Sequence, residues 1–216
     1  MKLLKLKLLV FALIVFAAGS AFASYSYEVT VNTSSVSGDS GLIYMNYFNA
    51  GGSTSTATVS GFTADATTSL GLQDTGDVMN GAQVVGTLPS NVAFTSTRSA
   101  SNPNNDYLQA ITLGSSTSFL VSFSGPATTA TTNPSAASTF SLGFITDTGS
   151  WNNIFPPTVS GSNGELFDIT LNDGGATFTT TYGGPVTLAQ TPIPPSALLF
   201  GSSLIGLIGV RRRLKN

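Results

Sequence analysis

Alternation with a period of two is the feature that most limits the fold of this chain. Tyr25, Tyr27, Val29 and Val31 are separated by Ser26, Glu28 and Thr30. Successive side chains of a β-strand point to opposite faces, so these four apolar residues share one face. Phe119, Val121 and Phe123 repeat the pattern, and so do Phe140, Leu142 and Phe144. Residues 42–48 differ. There Leu42, Tyr44, Asn46 and Phe48 oppose Ile43, Met45 and Tyr47, so both faces are apolar. That pattern predicts a central strand or one contacting a partner.

Further strands are expected over 57–62, 91–96, 106–113, 117–124, 166–171 and 176–182. Residues 106–113 and 117–124 read as a hairpin across Gly114, Ser115 and Ser116. The last two form a hairpin across Asn172, Asp173, Gly174 and Gly175, whose Asp-Gly supports a tight turn. Residues 74–81 read as an irregular loop, and 125–137 as a polar, exposed segment. The body shows no amphipathic helix and no fixed-period repeat. About nine or ten short strands with turn signals between them predict an all-β, jelly-roll-like β-sandwich. A disordered coat is the rival reading. The alternating aromatics oppose it, because disordered segments lack apolar residues to bury.

The charges are sharply partitioned. Lys2, Lys5 and Lys7 lie near one end, and Arg211, Arg212, Arg213 and Lys215 at the other. Between residues 24 and 190 only Arg98 is basic, against ten acids, which leaves a side-chain charge of −9. Nucleic-acid backbones need clustered Lys and Arg, so binding to them is excluded. Electrostatic docking of this body onto an anionic membrane is likewise disfavoured. There is no cysteine and no histidine. That removes disulfide staples, thiol nucleophiles, a Ser-His-Asp triad and the commonest transition-metal ligand. Stability must come from a packed core, which a body of this length can build.

The N-terminus reads as a signal peptide over residues 1–23. Three lysines precede an apolar run over 8–18, and Ala21 and Ala23 supply the small residues before a cut at Ser24. The β-sandwich domain is assigned to 24–183 and a linker to 184–191. Residues 192–216 form a tail in three parts. Pro192, Pro194 and Pro195 make a turn, 197–210 is apolar, and a basic cluster closes the chain. The apolar run is shorter than the roughly 20 residues of a full span. Arginine stems snorkel at the boundary, so it is expected to form a transmembrane sorting helix of marginal length. The positive-inside rule leaves the arginines cytoplasmic and the body outside.

This tail resembles the PEP-CTERM sorting domain of bacterial exported proteins. The likeness is carried by Pro192, Ile193, Pro194, Pro195 and Ser196, then the glycine-spaced apolar run, then Arg211, Arg212 and Arg213. Ile193 stands where the usual motif has glutamate, as in glutamate-free variants. The resemblance implies recognition by an exosortase-type processing enzyme, removal of the tail, and release to the cell surface or exopolysaccharide matrix. The body also resembles a recurrent group of such proteins with a single exported β-domain. Tyr27-Glu28-Val29-Thr30-Val31-Asn32-Thr33-Ser34, Gly86-Thr87-Leu88-Pro89 and Ser138-Thr139-Phe140-Ser141-Leu142 are among the stretches that carry this. It implies no activity.

Three candidate sites stand out in the body. Asp74, Asp77 and Asn80 cluster in a glycine-containing stretch, and hard cations such as calcium take oxygens from such clusters. The spacing lacks the EF-hand pattern, and a solvated turn uses the same residues. Asn163, Glu165, Asp168 and Asp173 are a second oxygen-rich set. Trp151, with Asn152 and Asn153, offers a glycan contact, since a loop aromatic can stack on a sugar ring. Alternatively Trp151 and Phe155 plug one end of the sandwich. Glycosidases need two carboxylates about 5–10 Å apart, and no pair is singled out among ten acids. The chain is thus expected to be a non-catalytic surface or matrix protein. A carbohydrate-binding module is the alternative and a glycan hydrolase the next.

Overall fold

A computed structural model describes residues 25–51, 53–74, 84–96, 105–129, 137–146, 152–155, 164–175, 177–182 and 184–191. Twelve strands lie among them. They are β1 (Tyr25–Asn32), β2 (Ser40–Asn49), β3 (Ser55–Ala64), β4 (Ser69–Asp74), β5 (Val84–Gly86) and β6 (Val92–Ser96). Then follow β7 (Asp106–Thr112), β8 (Ser116–Ser124), β9 (Ala137–Ile145), β10 (Glu165–Asn172), β11 (Thr177–Thr181) and β12 (Val186–Thr191). One six-stranded sheet runs β12-β1-β8-β3-β6-β5 and the other β11-β10-β9-β2-β7-β4. Every pairing is antiparallel. The all-β, two-sheet sandwich expected from the alternation is the observed architecture.

The alternation places the core. Tyr27, Val29 and Val31 turn inward from β1, Phe119, Val121 and Phe123 from β8, and Phe140, Leu142 and Phe144 from β9. Aromatic rings meet across the two sheets. Tyr47 and Phe123 lie 6.1 Å apart, and Phe94 meets Phe140 edge-on at 5.8 Å. The two-faced β2 is central in its sheet, between β7 and β9. Its inward residues Ile43, Met45 and Tyr47 enter the main core. Tyr44, on the outward face, packs with Leu108, Ile145 and Leu42.

Bulges in β3 and β10 reset the parity. The register of β3 shifts between Ser60 and Thr63, at Gly61 with φ +61°. An unbroken alternation from Ala57 and Val59 would turn Phe62 outward; the bulge returns it to the core. In β10 the shift between Glu165 and Phe167 lets Leu166 and Phe167 both face inward. Glu165 and Asp168 then share the outer face.

Three expectations are corrected. Residues 106–113 and 117–124 do not form a hairpin, because β7 and β8 belong to opposite sheets. Their connection spans the sandwich, tied by Thr33 Oγ1 donating to the Gly114 carbonyl at 2.7 Å. The linker 184–191 contains β12, paired with β1 from Val31↔Val186 to Ser26↔Thr191. Val186 and Leu188 pack against the core, which a linker would not do. In the segment expected to be exposed, Ala127 and Thr128 are buried in a 3-10 turn (Pro126–Thr128) against the neighbouring loops. By contrast the β10–β11 hairpin forms as expected, with Gly174 and Gly175 at positive φ. Among the described residues no helix is long and apolar enough to cross a membrane. The predicted signal peptide and sorting helix, residues 1–23 and 192–216, lie outside them.

The two ends of the sandwich are held differently. At the end where β1 finishes, Asp65 joins the β3–β4 loop to the start of β8. Its Oδ1 accepts from the Thr67 and Thr68 amides at 3.0 and 3.1 Å, and its Oδ2 from Ser115 and Ser116. The Ser115 hydroxyl, then the Thr67 hydroxyl, hold this carboxyl well below the usual carboxylate range. A depressed folded pKa stabilises above the unfolded value, about 3.9, and that contribution is lost as pH falls. Asp65→Ala is therefore expected to lower the melting temperature at pH 7. The gap to wild type should narrow below about pH 4 as the carboxylate protonates. Thermal melts across that range check this, and a gap independent of pH would contradict it.

Candidate functional site

Cross-strand pairing gathers a row of polar groups on the outer face of the second sheet. Asn46 stands opposite both Asp106 and Ser141, and Asp168 opposite both Ser141 and Thr180. One continuous row therefore runs Asp106, Asn46, Ser141, Asp168, Thr180 across five strands. Tyr44 Oη donates to Asp106 Oδ1 at 3.0 Å, and Asn46 Nδ2 donates to the same oxygen. Ser141 Oγ donates to Asp168 Oδ1 at 2.6 Å, and Tyr182 Oη to Asp168 Oδ2 at 2.5 Å. Each carboxylate thus clamps neighbouring strands together.

The adjacent row reads Leu108, Tyr44, Gly143, Glu165. Gly143 carries no side chain, and a Cβ there would lie 2.6 Å from the Gly164 carbonyl. The Gly164 backbone thus takes the place of a side chain between Tyr44 and Glu165. Burial, then the charge of Asp168, pushes the Glu165 carboxyl up to about 7. The bond to Asp168, then burial, pushes the Tyr182 phenol up to about 12. Burial, then Asp106, raises Tyr44 further.

A carboxyl poised near neutrality beside another carboxylate is the arrangement from which acid–base pairs are built. Here both oxygens of Asp168 already accept bonds from the protein's own hydroxyls. What the row offers is a half-buried carboxyl that keeps its proton while the unfolded chain releases it. Native Glu165 therefore loses stability relative to the unfolded state as pH rises from 4.5 to about 7. Glu165→Gln is expected to raise the melting temperature at pH 8 and to match wild type at pH 4. Equal melting temperatures at pH 8 would contradict the assigned burial.

The residues singled out in the sequence fare differently. Asp74 is the last residue of β4, its backbone facing Leu108. Asp77 and Asn80 lie outside the described residues. Glu165 and Asp168 come together, whereas Asp173 is about 16 Å further along the chain at strand rise. Asp173 accepts from the Ser53 amide and hydroxyl at 2.9 and 3.0 Å. Asn163 and Trp151 lie outside the described residues. Asn152 is exposed. The Asn153 amide donates to the Gly164 carbonyl at 2.9 Å and its oxygen accepts from the Phe155 amide at 3.0 Å. Phe155 is buried 6.2 Å from Phe144, so that ring does plug the sandwich. Among the described residues no three of His, Cys, Asp and Glu are grouped to hold a metal ion.

A concavity of about 300 Å³ is lined by Phe62, Ala64, Asp65, Thr68, Leu70 and Pro89. Its one carboxylate is the Asp65 staple, already committed to backbone amides. Compared with known protein families, with curated proteins and with solved structures, the chain gives no match.

Proposed function

We propose that this chain is an exported, non-catalytic protein of the cell surface or exopolysaccharide matrix, delivered by its C-terminal tail. The observation that carries this reading is that both cleavage points read from sequence fall outside the described strands. β1 begins at Tyr25, one residue after the cut expected at Ser24. β12 ends at Thr191, and the sorting motif starts at Pro192. Neither cut therefore falls within a described strand pair.

The partners under this reading are signal peptidase, an exosortase-type processing enzyme, the membrane through the tail, and exopolysaccharide. The body's acidic charge and hydroxyl-rich outer face suit a hydrated matrix. On the first sheet, Ser26 Oγ donates to Ser122 Oγ at 3.1 Å, and Thr63 and Ser118 share a bond at 2.7 Å. Strand order supports a jelly roll for the sandwich. The runs β1-β8-β3-β6 and β2-β7-β4 are those produced by folding one long antiparallel hairpin over twice. Cell fractionation tests the sorting claim. The full chain should pass through the membrane fraction to the surface or matrix, and a chain ending at Thr191 should go straight to the medium. The same distribution for both would overturn it.

A further inference from the structure

The chain enters and leaves the sandwich at one corner. β1 and β12 are antiparallel neighbours, with Ser26 opposite Thr191. Thr191 Oγ1 donates to the Ser26 carbonyl at 3.1 Å, so the exit is fastened to the entrance. The apolar run over 8–18 is joined to β1 through seven residue steps, and the run over 197–210 to β12 through six. An extended residue spans at most about 3.6 Å. This corner is therefore within about 25 Å of the first run and about 22 Å of the second. The other end of β1, at Asn32, lies a further 25 Å or so away along the strand.

The corner is stiff. A Cβ at Gly175 would lie 2.5 Å from Tyr25 Oη and 2.7 Å from the Thr128 carbonyl, so the turn closes tightly on the Tyr25 side chain. The Gly174 amide donates to the Ala127 carbonyl at 3.0 Å, and the Ala127 amide to the Thr54 carbonyl at 3.2 Å. Toward this end Asp173 is held by Ser53, Asp106 by Tyr44 and Asn46, and Asp168 by Ser141 and Tyr182. Asp39 and Asp65 lie at the other end, beside Leu113 and Ser115.

Resting on the reading of the two ends as membrane-directed, the geometry points to the β1–β12 end as a lipid-facing surface. It is seated against the bilayer while either end of the chain remains attached. The Asp39 and Asp65 end, with the Asn153–Phe155 segment near it, is directed outward. Both cleavage points then lie at one corner between the body and the membrane.

The chain has no cysteine, so a single introduced thiol reports alone. Ser124→Cys marks the lipid-facing end and Ser37→Cys the outward end; both positions are exposed. The full chain is reconstituted in vesicles of phosphatidylethanolamine and phosphatidylglycerol, labelled, and read against headgroup-linked quencher. The probe at position 124 should be quenched several-fold more than the probe at 37. Equal or reversed quenching in a chain that floats with the vesicles would overturn the orientation alone. A chain that fails to float would overturn the anchoring reading and this inference with it.

Discussion

Phe94→Ala is expected to lower the unfolding free energy of the body by about 3–5 kcal/mol. Phe94 projects from β6 in one sheet and is fully buried. Its ring meets Tyr107 at 6.3 Å and Phe140 at 5.8 Å, both edge-on and both from the other sheet. It therefore bolts the two layers together. Removing it deletes a large apolar group and leaves a cavity between sheets whose strand ladders prevent collapse. Domains of this size are stable by only about 5–15 kcal/mol. With no cysteine there is no disulfide to limit the loss. Phe94→Leu should cost much less, because it keeps most of the volume. Urea titration of residues 24–191 measures both, and a loss below 1 kcal/mol for the alanine variant would contradict the packing described.

Deleting residues 186–191 is the second large effect, expected to cost about 2–4 kcal/mol. Val186 and Leu188 are half buried against the core. Each contributes about 1 kcal/mol by burial, and the ladder bonds to β1 about 0.5–1.5 kcal/mol each. Ordering the six residues offsets part of this, at about 1 kcal/mol per residue. The deletion also bares β1 as a new edge, so self-association is expected alongside the loss. Truncation after Thr191 should leave stability unchanged. The contrast is what separates a strand from a linker: equal stability of the two truncations would restore the linker.

β1, β8 and β9 were legible because one face of each is solidly apolar, and the period of two marks it. β2 was legible as central because neither face is polar. Alternation, however, says which side of a strand faces the core and not which sheet the strand joins. That is why β7 and β8, separated by a short turn, looked like a hairpin although they enter opposite layers. β12 was missed because an edge strand with only Val186 and Leu188 inward, after Gly183, Gly184 and Pro185, carries a linker's composition. Of the polar row on the second sheet, only Asp168 left a local signal. Asp106, Asn46, Ser141 and Asp168 are neighbours only through registers that join residues up to 95 positions apart. Glu165 reached the same face through a bulge, which shifts parity in a way composition does not record. Asp65 looked like one acid among ten; its role depends on Ser115 and Ser116, fifty residues away.

Intact mass of the mature protein recovered from cells tests the central claim most directly. A product beginning at Ser24 and ending between Thr191 and Ser196 is expected, with the body whole and both removable segments gone. A product that retains Arg211, Arg212 and Arg213 would contradict it, because the tail would then be a permanent part of the protein and not a sorting signal.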